Sequence, residues 1–143
     1  MKRVLLIGAG HAHLGVLAEF ACRPLPGTQL TLLTPYAQQV YSGMLPGWIA
    51  GHYRLEQCAI AVEPVALRAQ AQLCLGQVVQ LDLSQRRALT AQGQCIEFDV
   101  VSINIGSAPP IAGAFVGSAL RPIESFIEAW SLLRRQRAPA QIT

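Results

Sequence analysis

Three observations predict an α/β fold, a parallel sheet with an antiparallel β-meander inserted in it. An apolar run, Val4-Leu5-Leu6-Ile7, passes through Gly8-Ala9-Gly10 into a stretch of helical periodicity. A second apolar run, Leu30 to Leu33, follows after one helix length. Beyond Leu73 the apolar positions alternate instead, until a further run appears at Val100 to Ile105. Continuous apolar runs mark strands buried on both faces, as in parallel sheets, whereas alternation marks strands with one solvated face.

The bulk properties narrow the class. A chain of 143 residues suits one domain with a real core. Hydrophobic residues make up 52% and charged residues 13%, which excludes disorder and implies that some apolar surface meets another domain or partner. The net charge of +3 comes without a Lys/Arg block interleaved with aromatics, so nucleic acid is not an expected partner. Cys22, Cys58, Cys74 and Cys95 are scattered with no C-x-x-C. That excludes a zinc ribbon or a thioredoxin-like pair and suggests buried free thiols in a reducing cytoplasm. Met1-Lys2-Arg3 and the following apolar run imitate a signal peptide, but glycines and histidines break the run too early. No segment approaches the roughly 20 apolar residues of a membrane span. The expectation is a soluble, cytoplasmic protein whose membrane contact, if any, is peripheral.

The elements follow in order. A helix is predicted from His11 to Cys22, with Leu14, Leu17, Ala18 and Ala21 facing the sheet, and Pro24-Leu25-Pro26-Gly27 ends it. The next strand stops at Thr34-Pro35, completing a βαβ unit of about thirty residues, the opening of a Rossmann-like sheet. Tyr36 to Tyr53 then reads as a long loop, rich in Gly and Pro and carrying Tyr41, Trp48 and Tyr53. Loops of this length are usually functional. A short helix opens at Glu63-Pro64, with Pro at the first helical position and Val65, Ala66, Leu67 and Ala69 as its apolar part. From Leu73 the period is two: Val79, Leu81 and Leu83 alternate with Gln80 and Asp82. Turns at Ser84-Gln85-Arg86 and Gln92-Gly93-Gln94 separate strands at Ala88–Ala91 and Cys95–Phe98, giving the meander. Val100 to Ile105 reads as a buried central strand ending at Gly106-Ser107. Last, Ile123, Phe126, Ile127, Trp130 and Leu133 mark one face of an amphipathic helix. Glu124 and Glu128 lie early in it, Arg134, Arg135 and Arg137 late, and Pro139 closes it.

A strand, a G-x-G turn and a helix in succession form the dinucleotide fingerprint. Gly8 permits the sharp turn, Gly10 offers no side chain to block a pyrophosphate, and the helix start presents free N–H groups to the phosphates. The third glycine of the fingerprint is replaced by His13, with Gly15 two residues later. The plain alternative is a βα turn of any α/β protein. Where an Asp or Glu would hold the ribose hydroxyls, this chain has Thr34. Its hydroxyl either bonds a ribose without charge assistance or caps the strand end. His11 and His13, two apart on a helix, point to opposite sides and cannot chelate a metal together. His11 is expected near the pyrophosphate and His13 under the sheet.

The order of elements then separates FAD from NAD, because a simple NAD domain continues with further βα repeats. Four segments carry a family resemblance: Val4–Leu14 (VLLIGAGHAHL), Leu30–Pro35, Tyr41–Tyr53 (YSGMLPGWIAGHY) and Phe98–Ser107 (FDVVSINIGS). With them the sequence resembles the N-terminal FAD-binding segment of the pyridine nucleotide–disulfide oxidoreductase superfamily. The branch is the one resembling type II NADH dehydrogenases, which includes the flavoprotein domain found fused to selenide, water dikinase. The resemblance spans nearly the whole chain, and YSGMLPG is its most specific part.

It implies that residues 1–143 are an FAD-binding domain, an N-terminal fragment of a longer flavoprotein that lacks the NAD(P)-binding domain. The implied partners are FAD and the missing C-terminal domains, with NAD(P)H as co-substrate of the full-length protein. Hydride passes from nicotinamide to flavin and electrons go on to an acceptor. The cofactor-binding residues implied are Gly8, Ala9, Gly10, His11 and Ala12 at the turn, then Thr34 and Pro35. Ser42, Gly43 and Met44 belong near the flavin or ribityl chain, Val78 and Val79 at the adenine, and Gly106 against FAD. The family's Ala-Thr-Gly turn reads Asn104-Ile105-Gly106 here, keeping the glycine and losing the hydroxyl. The family's C-x-x-x-x-C pair is absent from residues 36–53, so disulfide reduction is not implied. No catalytic acid, base, nucleophile or metal ligand is assigned. Tyr41, Trp48 and Tyr53 either wall a flavin or quinone pocket or simply cover the loop. Two other readings stay open: an NAD(P)- or adenine-nucleotide-binding domain, and a non-catalytic module fused to selenide, water dikinase.

Overall fold

The computed structural model describes residues 1–106 and 123–135. The chain divides into two compact units, Met1–Gly106 and Ser107–Thr143.

The first unit begins with β1 (Lys2–Ile7), α1 (His11–Cys22) and β2 (Thr28–Thr34). β1 and β2 pair in parallel, Leu6 opposite Leu32 and Ile7 opposite Leu33. Alternation along β1 feeds two cores. Leu6 joins Leu17 of α1 with Leu30 and Leu32 on one face, while Leu5 and Ile7 join Leu33 on the other. The buried residues of α1 are His13 and Leu17, supported by Leu14, Val16 and Phe20, whereas Ala18 and Ala21 are exposed. The expected face is corrected by a few positions because this helix is apolar nearly all round. Its own periodicity does not single out one side.

The segment after β2 is more ordered than the expected loop. It contains β3 (Gln38–Val40), a 3-10 turn at Ser42–Met44, α2 (Leu45–Ile49) and a second 3-10 turn at Leu55–Cys58. β4 (Ala59–Ala61) closes it by pairing antiparallel with β3. α3 (Val62–Arg68) packs on α1 with Val62 and Val65 in their shared core, and its Ala66 is buried too. Pro64 is its third residue rather than its first, still inside the turn whose N–H groups have no helical acceptor.

β5 (Gln72–Leu75) pairs in parallel with β2. It belongs to the main sheet, not to the meander that the alternating pattern from Leu73 suggested. The meander proper is β6 (Val78–Asp82), β7 (Arg87–Thr90) and β8 (Cys95–Glu97). A register shift between Val78 and Gln80 breaks the period. Such a bulge reassigns faces. Val78 and Leu81 pack inward beside Ala88, Ile96 and Phe98, while Val79 and Leu83 point out at 59% and 66% exposure.

β9 (Val100–Ile103) returns parallel to β1, so the main sheet reads β5-β2-β1-β9. Among the described residues β9 is therefore an edge strand and not the buried central strand expected from its apolar run. Val100 and Ile103 are about half exposed, and Val101 carries its core contact. Its start is pinned to β1: Asp99 N–H donates to Arg3 O (2.8 Å) and Arg3 N–H donates to Asp99 Oδ2 (2.6 Å). That amide and the Arg3 guanidinium hold the Asp99 carboxyl below its ordinary range. The sheet thus carries α1 and α3 on one face and the meander on the other.

All four cysteines are free, but only Cys58 and Cys74 are buried, and burial pushes the Cys74 thiol up. Cys22 and Cys95 are exposed, which corrects the expectation of four buried thiols.

In the second unit, α4 (Ile123–Arg135) has Glu124 in its first turn and Arg134 and Arg135 in its last, as its dipole favours. Ser107, Arg137 and Pro139 lie outside the described residues. Among the described residues no helix is long and apolar enough to cross a membrane.

Candidate functional site

In the sheet order β5-β2-β1-β9 the chain moves one way from β1 to β2 and the other way to β9. Open parallel sheets bind ligands at the carboxyl ends of their strands where the order reverses. Here that point is the turn after β1. Gly8, at φ +88°, donates its N–H to Leu33 O at the end of β2 (2.7 Å). On the other side Asn104 N–H donates to Ile7 O (2.8 Å) and Gly10 N–H to Asn104 O (3.2 Å). The turn is therefore stitched to both neighbouring strands.

The same stitching explains the glycines. A Cβ on Gly8 would run into the Asn104 carbonyl, meeting its carbon at 2.8 Å. A Cβ on Gly10 would run into Asn104 Oδ1 and come within 2.8 Å of the Asn104 backbone oxygen. The side of Gly10 where a side chain would stand is filled by Asn104, just past the end of β9. Asn104 Oδ1 is buried there without a hydrogen-bond partner in the structure, facing Gly10. Gly15 does not stand in for the missing third glycine, since among the described residues nothing lies within 4 Å of a Cβ there.

The helix start supplies donors. Gly10 is the extended N-cap, without a side-chain cap, and the first turn of α1 holds no acidic residue. The first helical hydrogen bond is Leu14 N–H to Gly10 O, so the amides of His11, Ala12 and His13 lack a helical acceptor. They stand at the positive end of the α1 dipole. His11 and Ala12 are exposed and His13 is buried. His13 Nδ1 lies 2.6 Å from Gly8 O and its Nε2 lies 2.9 Å from Ser102 Oγ on β9. His11 and His13 thus point to opposite sides, as the helical spacing predicts.

The His11 ring meets Tyr41 edge to face, centroids 4.9 Å apart. Tyr41 immediately precedes the turn Ser42–Met44, so this contact brings Ser42, Gly43 and Met44 toward the start of α1. Trp48 and Tyr53 lie elsewhere in the segment. Trp48 is buried with Leu45, and the Tyr53 ring lies on Gly47, where a Cβ would meet Cε2 at 2.5 Å.

Thr34 is buried, and its Oγ1 accepts from Tyr36 N–H at 3.4 Å, which favours the strand-capping role. Pro35 follows it at the surface. Gly76 N–H donates to Thr34 O (2.9 Å) and carries the β5–β6 connection to the same edge, with Val78 turned inward and Val79 outward. Gly106, at φ +76°, lies just past Asn104 and Ile105, and among the described residues nothing comes within 4 Å of a Cβ there. Along the carboxyl edge the structure therefore collects Val78–Val79, Thr34–Pro35, Gly8–Ala12 and Gly106. Ser42–Met44 joins through Tyr41. Backbone amides and a helix dipole, with no charged side chain among these described residues, suit a diphosphate-linked ligand. Local sequence does not mark Asn104 and Ser102 as partners of this turn. The faint signals for them are two polar residues interrupting the apolar run VVSINI.

No protein-family model matches the chain, and no curated protein matches it. Solved structures do. Sulfide:quinone oxidoreductase from Aquifex aeolicus matches with a TM-score of 0.71 and 18% identity over 94% of this chain and 32% of that one. NDH2 from Plasmodium falciparum, solved with NADH, matches with a TM-score of 0.66 and 11% identity over 99% of this chain and 31% of its own. NADH:rubredoxin oxidoreductase from Clostridium acetobutylicum matches with a TM-score of 0.65 and 16% identity over 94% and 36%. This chain thus spans about a third of each of these structures. At such identities the likeness shows the fold: this chain is built like the matching third of these oxidoreductases.

Proposed function

We propose that the chain is the FAD-binding part of an NAD(P)H-dependent flavoprotein oxidoreductase and one region of a longer polypeptide. The observation that carries this is the glycine turn at the reversal of strand order, with three amides free of helical acceptors at the start of α1. Two features favour FAD over a nicotinamide nucleotide at this turn. Thr34 stands buried where a ribose-binding acid would be needed, and a meander replaces further βα repeats. The assignment to the type II NADH dehydrogenase-like branch rests on VLLIGAGHAHL and YSGMLPG. The solved structures of like fold, named for NADH or quinone chemistry, support the same class.

In this reading the amides of His11 and Ala12 bind the diphosphate, and Gly8 and Gly10 hold the turn against β9. Thr34 and Pro35 lie beside the ribose, the backbone at Val78 and Val79 meets the adenine, and Gly106 closes the edge. Ser42, Gly43 and Met44 approach the ribityl and flavin end, steered by the Tyr41–His11 contact. Bound FAD supplies hydride acceptance from NAD(P)H and onward electron transfer, and the chain's own residues bind and orient it.

The test is titration of FAD, and separately of NADH, into the purified chain and its His11→Pro and His11→Ala variants. Pro is tolerated at a first helical position, and Gly10 already has the extended backbone that a following Pro requires. His11→Pro deletes one amide donor, while His11→Ala keeps it. FAD affinity should fall about tenfold or more in the Pro variant relative to the Ala variant, the value of one charge-assisted hydrogen bond. Saturable NADH binding without FAD binding would overturn the assignment.

A further inference from the structure

We propose that His13 is the positioning residue of the glycine turn, held as its Nδ1–H tautomer between the Gly8 carbonyl and the Ser102 hydroxyl. It occupies the place of the fingerprint's third glycine, which ordinarily serves close packing of helix on strand. Here an imidazole fills the space instead, and both of its nitrogens are engaged.

Chemistry fixes the tautomer. A carbonyl oxygen only accepts, so Nδ1, 2.6 Å from Gly8 O, carries the hydrogen. In the neutral ring Nε2 is then an acceptor, and the Ser102 hydroxyl, 2.9 Å away, donates to it. The ring is 2% exposed, so neither nitrogen has water as a substitute partner. Core filling asks only for volume; two directional bonds ask for an imidazole.

The consequence is a connected frame. Gly8 is held through its N–H by Leu33 O of β2 and through its carbonyl by His13 of α1, and His13 is held by Ser102 of β9. Gly10 N–H to Asn104 O ties the other end of the turn to β9. The amides at the start of α1 are thus set relative to both flanking strands. Ser102 acts on them through His13, without itself belonging to the carboxyl edge.

The experiment uses the isosteric pair Ser102→Thr and Ser102→Val, which differ in the hydroxyl alone and suit an edge strand equally. The imidazole nitrogen NMR spectrum of the chain without ligand should show His13 as Nδ1–H, with Nε2 accepting a hydrogen bond. Ser102→Thr should keep that signature. Ser102→Val should move Nε2 to the position of an unbonded acceptor and displace the Gly8 and Gly10 amide signals. An Nε2–H tautomer in the unaltered chain, or Val and Thr variants with the same spectrum, would overturn the proposal.

The effect on ligand rests on the FAD reading. Ser102→Val should weaken FAD binding about tenfold, the cost of one unsatisfied buried acceptor, and Ser102→Thr should restore it. FAD binding that ignores Ser102→Val sinks this inference and leaves the FAD assignment standing. A chain that shows the tautomer and the valine response but binds no FAD sinks the assignment and leaves the frame.

Discussion

Gly8 and Gly10 face the backbone and carboxamide of Asn104, whereas Gly43 and Gly47 face the rings of Tyr41 and Tyr53. Both pairs sit in segments that the sequence marks as glycine-rich, the second in the 3-10 turn and in α2, and both leave no room for a Cβ. The difference lies in what would have to move. Asn104 is part of β9's attachment to β1, tied by Asn104 N–H to Ile7 O and by Gly10 N–H to its own carbonyl. The tyrosine rings are nearly half exposed, at 45% and 44%, and can swing into solvent. Equal crowding on paper thus predicts unequal cost, and the glycines of the first turn are the ones the fold cannot exchange.

The largest effect is expected at Gly8→Ala. It combines a φ of +88° with a Cβ driven into a backbone carbonyl. Left-handed strain and overpacking together should cost about 3 kcal/mol, read as a shift in the denaturant midpoint at unchanged slope. Gly10→Ala comes next at about 2 kcal/mol, because the first atom met is the end of a side chain and the backbone oxygen only the second. Adding Asn104→Ala should recover part of that loss, giving a coupling energy of at least about 0.5 kcal/mol in a double-mutant cycle. Additive losses would show that something other than Asn104 keeps Gly10 bare. The cycle also warns that loss of FAD in a bulky Gly10 variant reports fold damage as much as ligand contact.

Much of this frame was legible in the sequence. The runs Val4–Ile7 and Leu30–Leu33 and the G-x-G between them locate β1, α1 and β2, because strands buried on both faces need continuous apolar residues. The meander's turns were legible for the opposite reason, alternation punctuated by Gly and polar residues. Less was visible where local pattern and partner disagree. Gln72–Leu75 alternates like the meander yet pairs with β2. The bulge at Val78–Gln80 swaps faces without any change in composition. β9 is apolar enough for a central position but lies at the edge of the described sheet. At the site, Gly8, Gly10 and His11 follow from spacing, and the exposed and buried histidines from helical geometry. The His13–Ser102 bond joins residues 89 positions apart, and no local pattern encodes it. Tyr41 shows the same limit, since only its contact with His11 distinguishes it from Trp48 and Tyr53.

A smaller effect, of opposite sign, is expected at Gly15→Ala. Gly15 lies exposed inside α1, and its Cβ would meet none of the described residues. Relieving a helix-interior glycine should stabilise the chain by about 0.5–1 kcal/mol, measured as a raised midpoint. A loss there would mean that Gly15 has taken over the packing duty of the third fingerprint glycine after all.

The smallest effect is expected at Gly47→Ala, and it is the most direct trial of the contrast between the two turns. Gly47 is interior to α2, so alanine gains about 0.5–1 kcal/mol of backbone preference. Against that, the Tyr53 ring must leave its seat, giving up part of the apolar contact that a half-exposed ring makes. The two contributions oppose one another and should leave a net change within about 0.5 kcal/mol, the range of ordinary surface substitutions. In a Tyr53→Ala background the ring is gone, so Gly47→Ala should become stabilising by the full backbone preference. A loss in the unaltered chain as large as that of Gly10→Ala would mean that Tyr53 is held as firmly as Asn104. The glycines after β2 would then be as structurally fixed as those after β1, and α2 would have to be treated as part of the rigid frame rather than as a cover on it.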